Sequence, residues 1–219
     1  TLSHPSIPKI YDYFTFNERS YLVLEYVQGE DMESILETTT DFFPEAQAVA
    51  WSIELCEVLQ YLHTLKPEPI IFRDIKPSNI MINKKGHIVL IDFGIAKIFT
   101  VGQKGTMIGT EGYAPPEQYR GEAEQRSDIY SLGATMHHLL TRRDPRLDPP
   151  FSFPDHPIRK INPAVSKGLE AVINKALQYD AEERFASARE MKEAMQMVTK
   201  LTGILPDASM YPMMAGGDP

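Results

Sequence analysis

Residues 72–80 read "FRDIKPSNI", and this stretch decides how the rest of the chain is interpreted. It places an arginine–aspartate pair, a lysine two residues later and an asparagine three residues beyond that between apolar flanks. Pro77 stiffens the loop between the lysine and the asparagine, because its ring fixes the backbone φ angle. Whether such a loop can act chemically with phenylalanine at its head depends on the motifs that accompany it.

The composition is that of an ordinary soluble globular protein. The chain has 219 residues, of which 42% are hydrophobic and 24% charged, enough to bury a core. Its formal net charge of -8 disfavours a nucleic-acid binder, because phosphate contacts need clustered Lys and Arg. Cys56 is the single cysteine, which excludes an intrachain disulfide and favours a reducing, cytoplasmic compartment. No apolar run is long enough to span a bilayer, so no membrane span is predicted in this chain.

Hydrophobic periodicity predicts a hairpin followed by several helices. Residues 10–16 and 20–27 are aromatic and β-branched and predict two antiparallel strands. Apolar residues at three- and four-residue steps make 44–65 the strongest helix signal. Short strands are predicted from "NIMIN" and "HIVLID", and further helices over 127–141, 166–178 and about 186–200.

Four motifs follow one another in a fixed order, at 73–79 ("RDIKPSN"), 92–94 ("DFG"), 109–117 ("GTEGYAPPE") and 127–133 ("SDIYSLG"). In this order and at these spacings they closely resemble the C-terminal lobe of protein kinases, and the resemblance covers about residues 2–195. The stretches "FRDIKPSNIMI" and "GTEGYAPPEQY" resemble the bacterial type of this family in particular.

The resemblance implies an α+β, protein-kinase-like fold with a mainly α-helical C-lobe and a remnant β-hairpin of the N-lobe. Residues 1–27 are expected to form that remnant with the entry to the hinge, and 28–200 the C-lobe. The tail 201–219 has no period and many helix breakers, and is expected to be a flexible linker.

The catalytic loop is assigned by the same resemblance, and the implied cofactors are ATP and Mg²⁺. Asp74 would be the base that accepts the substrate hydroxyl proton, and Lys76 would reach the γ-phosphate. Asn79 and Asp92 would supply oxygen ligands to Mg²⁺, a hard ion that prefers them. The alternative is a turn with an Asx cap and a surface ion pair.

By the same resemblance, the stretch "YLVLEYVQGED" corresponds to the family's hinge, which holds the nucleotide. Leu24 would be the gatekeeper, while Glu25 and Val27 would offer backbone groups to adenine. Asp31 could reach the ribose or the substrate, and Met81 would form the floor under the adenine ring. For the apolar positions, packing in the core is the competing explanation.

The resemblance also favours Ser/Thr hydroxyls of protein substrates over tyrosine. "DIKPSN" with Lys76 is similar to kinases of the Ser/Thr type, and Thr110 matches the threonine that bonds their Asp–Lys pair. Arg73 before the catalytic aspartate goes with control by phosphorylation of the activation loop. The candidate phosphosites are Thr100, Thr106 and Thr110, of which Thr106 is preferred and Thr110 is expected to be structural. The alternative is that this short loop has no phosphosite.

Several residues are expected to support the site without taking part in chemistry. Glu117 should form a buried pair with Arg184, and Asp128 should hold the backbone of the catalytic loop. Phe72 replaces the usual histidine and is expected to stack in an apolar column with Ile10 and Phe93. His63, His137 and His138 are interpreted as structural or solvent-facing, because their spacing is not that of metal ligands.

Three parts of a kinase are absent from this sequence. No G-x-G-x-x-G precedes the hinge, and the only lysine before Leu24 is Lys9, which does not match the strand lysine. A helix glutamate partner is also lacking. Two hypotheses remain. In the first, the chain is a fragment of an active Ser/Thr kinase and is inactive in isolation; any membrane anchor of the parent kinase would lie in other regions. In the second, the chain is a non-catalytic kinase-like scaffold. An N-lobe remnant would expose apolar strands and favour self-association through the hairpin.

Overall fold

The structure, a computed structural model, describes residues 2–91 and 109–210. A β-hairpin and a three-stranded sheet accompany a larger set of helices, which confirms the α+β class. The elements are β1 (Ile10–Phe16), β2 (Arg19–Leu24), β3 (Gly29–Asp31), α1 (Met32–Thr38), α2 (Glu45–His63), β4 (Ile80–Asn83), β5 (Ile88–Leu90), α3 (Pro116–Tyr119), α4 (Gln125–Thr141), α5 (Ile158–Ile161), α6 (Lys167–Ala176) and α7 (Ala188–Thr202).

The predicted hairpin is confirmed, although its second strand ends at Leu24 and not at residue 27. The next strand, β3, begins at Gly29. Strands β1 and β2 are antiparallel. Asn17 and Glu18 form the turn with φ of 49° and 63°, the pair of positive angles that suits a tight hairpin turn. Large apolar side chains of the hairpin face solvent, with Tyr11 65% and Phe16 62% exposed.

The second sheet has the order β3–β4–β5 and places the catalytic loop, because β4 begins directly after Asn79. In the sequence, the spacing of Met32, Ile35 and Leu36 predicts a helical segment over 28–37, but the helix begins only at Met32 and Gly29–Asp31 forms strand β3 instead. Its polar residues carry no strand pattern, and it becomes a strand only by pairing with β4. A Cβ at Gly29 would lie 2.0 Å from the Ile82 carbonyl oxygen, so only glycine allows this close approach.

The helices enclose one hydrophobic core, in which α2 packs against α4 and α7, and α6 packs against α4. Every residue of α4 from Ser127 to Thr141 is buried, as expected for a helix surrounded by other elements. Cys56 is fully buried, and burial raises the pKa of its thiol to about 12, so the thiol is protonated and unreactive at neutral pH. In the ranges 2–91 and 109–210, no helix combines the length and apolar character needed to cross a membrane.

Side-chain caps set the helix boundaries and shift them slightly from the predicted ones. Ser166 and Ser187 accept hydrogen bonds from the first turns of α6 and α7, so each helix begins immediately after its serine. Gly203, with φ of 72°, ends α7 in the left-handed conformation that favours glycine.

Part of the segment after α7 returns to the body of the protein. The Asp207 N–H donates to the Ala46 carbonyl at 3.1 Å, and the Gln47 amide donates to the Ala208 carbonyl at 3.2 Å. Residues 211–219 lie outside the described residues, and the linker assignment for 201–219 stays a prediction.

Candidate active site

The catalytic loop closes on itself before it enters the sheet. Pro77 starts a short 3₁₀ turn that ends at Asn79, which suits a residue that has no N–H to donate. The Asn79 side-chain amide donates to the Asp74 carbonyl oxygen at 2.8 Å. This bond fixes the spacing between the predicted base and the predicted metal ligand.

Asp74, Lys76 and Thr110 form one polar cluster, as predicted for Thr110. Lys76 Nζ donates to Thr110 Oγ1 at 2.6 Å, and that hydroxyl donates to Asp74 Oδ1 at 3.0 Å. Lys76 Nζ also lies 3.6 Å from Asp74 Oδ2. The Asp74 and Lys76 side chains are 19% and 22% exposed, so the carboxylate and the ammonium can still meet a ligand from solvent.

A buried carboxylate holds the backbone of the catalytic loop. Asp128 accepts the N–H of Phe72 at 2.9 Å and of Arg73 at 2.8 Å, which confirms the predicted scaffold role. His63 Nε2 contacts the same carboxylate at 2.7 Å, in agreement with its structural interpretation. Arg73 itself has φ of 73°, a conformation that non-glycine residues rarely adopt without such support.

The predicted Mg²⁺ ligands are only partly within the described residues. Asp92 lies outside them, as do Phe93, Thr100 and Thr106. Asn79 is 8% exposed and commits its amide nitrogen to the protein, which turns its oxygen into the atom that a hard cation would use. The Ile91 N–H donates to the Asn79 carbonyl at 2.9 Å, and Asp92 is the next residue in the sequence. The donor types at these positions fit Mg²⁺.

Of the predicted nucleotide-binding residues, Glu25 and Val27 lie between β2 and β3, whereas Asp31 and Met81 lie in the second sheet, on β3 and β4. Within 2–91 and 109–210, no backbone hydrogen bond uses the Glu25 carbonyl or the Val27 N–H. Asp31 faces half-buried Met81 across the β3–β4 ladder. The Asp31 carboxylate also caps α1 through bonds to Ser34 N and Oγ at 2.9 and 2.8 Å, a task that the sequence did not reveal.

The predicted pair of Glu117 and Arg184 is confirmed. Arg184 donates twice to the Glu117 carboxylate, at 2.7 and 2.9 Å, and Ser127 Oγ donates to it at 2.8 Å. Burial alone would raise the pKa of Glu117, but the hydrogen bonds and charge of Arg184 outweigh it and lower that pKa. The pair fixes α3, and with it the end of the loop that carries Thr110.

Two neighbouring histidines of α4 hold different segments, and only His138 contacts the segment that follows Thr110. His137 Nε2 donates to the His156 carbonyl at 2.8 Å, and the Tyr113 hydroxyl and His138 Nδ1 share a hydrogen bond of 2.7 Å. Burial lowers the pKa of both histidines to about 4, so both are neutral at pH 7. Their structural interpretation is confirmed, but the sequence did not identify their partners.

We expect these two histidines to make stability depend on acid pH. Their folded-state pKa values of about 4 lie below the value of about 6.5 for an unfolded histidine, so the unfolded chain binds protons first. Their contribution is complete above about pH 6.5 and is lost as pH falls towards 4, by roughly 3 kcal/mol for each. Urea unfolding at pH 7 and pH 4 measures the loss. A His137→Gln, His138→Gln double variant should lose less between these pH values, and an equal loss would contradict the assignment.

The comparisons with known proteins agree with this geometry. The protein kinase domain family matches residues 1–198. A probable serine/threonine-protein kinase of Streptomyces coelicolor is 32% identical over 99% of this chain, and the serine/threonine-protein kinase PknB of Mycobacterium leprae is 36% identical over 87%. The chain spans about a third of the length of these relatives, 34% and 33% respectively.

Solved structures show the same fold. The Mycobacterium tuberculosis PknI kinase domain superimposes with a TM-score of 0.70 and 26% sequence identity, covering 90% of this chain and 73% of that domain. The family match covers nearly the whole chain, and both relatives named above are bacterial proteins. This chain therefore belongs to the protein kinase family, and within it to the bacterial serine/threonine type.

Proposed function

We propose that the protein to which this chain belongs transfers the γ-phosphate of ATP to Ser or Thr hydroxyls of protein substrates. The observation that carries the proposal is the cluster of Asp74, Lys76 and Thr110, in which a carboxylate and an ammonium stay partly exposed. A non-catalytic scaffold would gain nothing from keeping these charges half-buried, because their desolvation costs free energy.

In the proposed mechanism the residues of the chain position the reacting groups and neutralise the charge of the transferred phosphoryl group. Asp74 accepts the proton of the substrate hydroxyl. At the same time the hydroxyl oxygen bonds to the γ-phosphorus, and the bond between that phosphorus and the ADP leaving group breaks. Lys76 places its ammonium on the transferred phosphoryl group, and Thr110 keeps the carboxylate and the ammonium at a fixed separation. Bound Mg²⁺, held by Asn79 and Asp92, would neutralise charge on the phosphates.

The nucleotide would lie against the segment that follows β2. We propose that Glu25 and Val27 offer backbone groups to adenine, that Met81 forms the floor under the ring and that Asp31 lies near the ribose. Met81 suits this role because it is half-buried on the central strand of its sheet.

Phosphoamino-acid analysis tests the substrate class. Intact protein incubated with labelled ATP, Mg²⁺ and a mixed protein substrate should yield labelled phosphoserine and phosphothreonine. Label found only on tyrosine would overturn the assignment to Ser/Thr.

Replacing Phe72 by histidine is expected to change kcat of the intact protein by less than about tenfold, roughly 1.4 kcal/mol in the barrier. The anchor to Asp128 uses the Phe72 backbone N–H, so the identity of the buried ring is not needed for that bond. Steady-state kinetics of the variant against wild type measure the change. A loss as large as that of Asp74→Asn would contradict this division of roles.

We propose further that residues 1–219 are inactive when they are isolated. Within a larger protein, they act in the cytoplasm. They contain no G-x-G-x-x-G and no matching strand lysine, which a kinase needs to hold the phosphates. The exposed faces of β1 and β2, with Tyr11 and Phe16, would also promote self-association. A clean monomer in sedimentation at high concentration would speak against that association.

A further inference from the structure

Arg73, the residue before the proposed base, is held from both sides by buried side chains. Its N–H donates to Asp128 Oδ1 at 2.8 Å, and its carbonyl accepts the Gln118 side-chain amide at 2.6 Å. Asp128 is 0% and Gln118 2% exposed, and they belong to different helices, α4 and α3. Both polar backbone groups of this one residue are thus fixed by side chains remote in sequence.

This double anchor matters because the backbone of Arg73 is strained. Its φ of 73° is in the left-handed region, which an arginine adopts only where the surroundings impose it. The peptide bond between Arg73 and Asp74 contains the carbonyl that Gln118 holds. A rotation of that peptide would turn the Asp74 side chain relative to Lys76 and Thr110.

Gln118 also touches the segment that carries Thr110. A Cβ at Gly109 would lie 2.2 Å from Gln118 Nε2 and 3.3 Å from the Arg73 carbonyl oxygen, so the glycine permits the amide to sit there. Gly109 directly precedes Thr110, whose hydroxyl bonds Asp74 and Lys76. The amide of Gln118 therefore lies between the two segments that build the catalytic cluster.

The helix that carries Gln118 is itself anchored. Gln118 follows Glu117, and the Glu117–Arg184 pair anchors α3 to the helical core. An amide on a fixed helix can impose a geometry on the loop that it contacts, instead of adapting to that loop.

We propose that Gln118 is a positioning residue for phosphoryl transfer, which sets the Arg73–Asp74 peptide and so aligns the Asp74 carboxylate with the acceptor hydroxyl. The proposal rests on the proposed kinase function. In this role Gln118 acts through the Arg73 carbonyl, to which its amide donates. Its loss should lower the rate of the chemical step and leave nucleotide binding almost unchanged.

Two substitutions in the intact protein test this. Gln118→Met keeps the side-chain length but removes the donor, and Gln118→Glu keeps the shape but places an acceptor against the Arg73 carbonyl. We expect kcat to fall about 10- to 100-fold, since small misplacements of a reacting group have effects of this size. The KM for ATP should stay within about twofold, and Gln118→Glu should be at least as impaired as Gln118→Met.

Two control variants separate positioning from loss of stability. Gln196→Met changes an exposed glutamine of α7, and Thr135→Val removes a buried hydroxyl whose bond to the Ser131 carbonyl stays within α4. Both should keep wild-type kcat, and urea unfolding of all variants shows whether Thr135→Val matches Gln118→Met in stability. If Gln118→Met fails to fold, the kcat and the KM for ATP of the near-isosteric Gln118→Glu variant test the positioning role.

The outcomes distinguish this inference from the function on which it rests. If wild type transfers phosphate and the folded Gln118 variants match Gln196→Met in kcat, or lose ATP affinity instead, the positioning role is wrong and the kinase function stands. If the intact wild type transfers no phosphate, the proposed function and this inference are both wrong.

Discussion

Replacing Asp74 by asparagine is expected to lower kcat of the intact protein by about a hundred- to ten-thousandfold, the usual contribution of a general base. Asparagine has the same shape and can still accept the Thr110 hydroxyl, now 3.0 Å from Asp74 Oδ1. It cannot take a proton, and it removes the negative charge beside Lys76. The fold and the nucleotide site should therefore survive while the chemical step is lost.

Steady-state phosphotransfer and nucleotide binding, measured on the same preparations, check this expectation. Asp155→Asn is the matched control, because Asp155 is exposed in the loop before α5. The control should keep wild-type kcat, and Asp74→Asn should bind ATP with nearly unchanged affinity. If Asp74→Asn kept more than about a tenth of the activity, Asp74 could not be the base.

Replacing Arg184 by methionine should lower the free energy of unfolding by about 3–5 kcal/mol, because it leaves the Glu117 carboxylate buried without its charge partner. The Arg184 side chain is fully buried and also donates to the carbonyls of Gln178, at 2.7 Å, and Tyr179, at 2.9 Å. Methionine satisfies none of these acceptors. This is the largest stability effect that we expect from a single substitution.

Urea unfolding at pH 7 measures that loss. Arg189→Met is the matched control, because Arg189 is exposed on α7 and its loss should cost little. Adding Glu117→Gln to Arg184→Met should recover part of the loss, since it removes the unpaired charge. A loss below about 1 kcal/mol in Arg184→Met would show that the pair is not a buried anchor.

Much of the fold could be predicted because its long helices have strong periodic patterns. Helix α2 was predicted over 44–65 and spans Glu45–His63, and the caps at Ser166 and Ser187 account for the small shifts in α6 and α7. The supporting pairs could be predicted because both partners occur in recognisable motifs, as with Glu117 and Arg184.

Other features depend on contacts between segments that no local pattern reports. Strand β3 consists of Gly29–Asp31, whose polar residues carry no strand pattern and which becomes a strand only by pairing with β4. The bond from Gln118 to the Arg73 carbonyl joins residues 45 positions apart, and the bond from Tyr113 to His138 joins residues 25 apart. Glutamine and histidine are common in helices, so nothing in the sequence marks these two as partners of the catalytic region.

The most direct test of the account is phosphoryl transfer from labelled ATP in the presence of Mg²⁺, measured for the intact protein and for residues 1–219 alone. We predict that the intact protein labels Ser or Thr of a protein substrate and that residues 1–219 do not. Label transferred by residues 1–219 alone, or none transferred by the intact protein, would contradict the account.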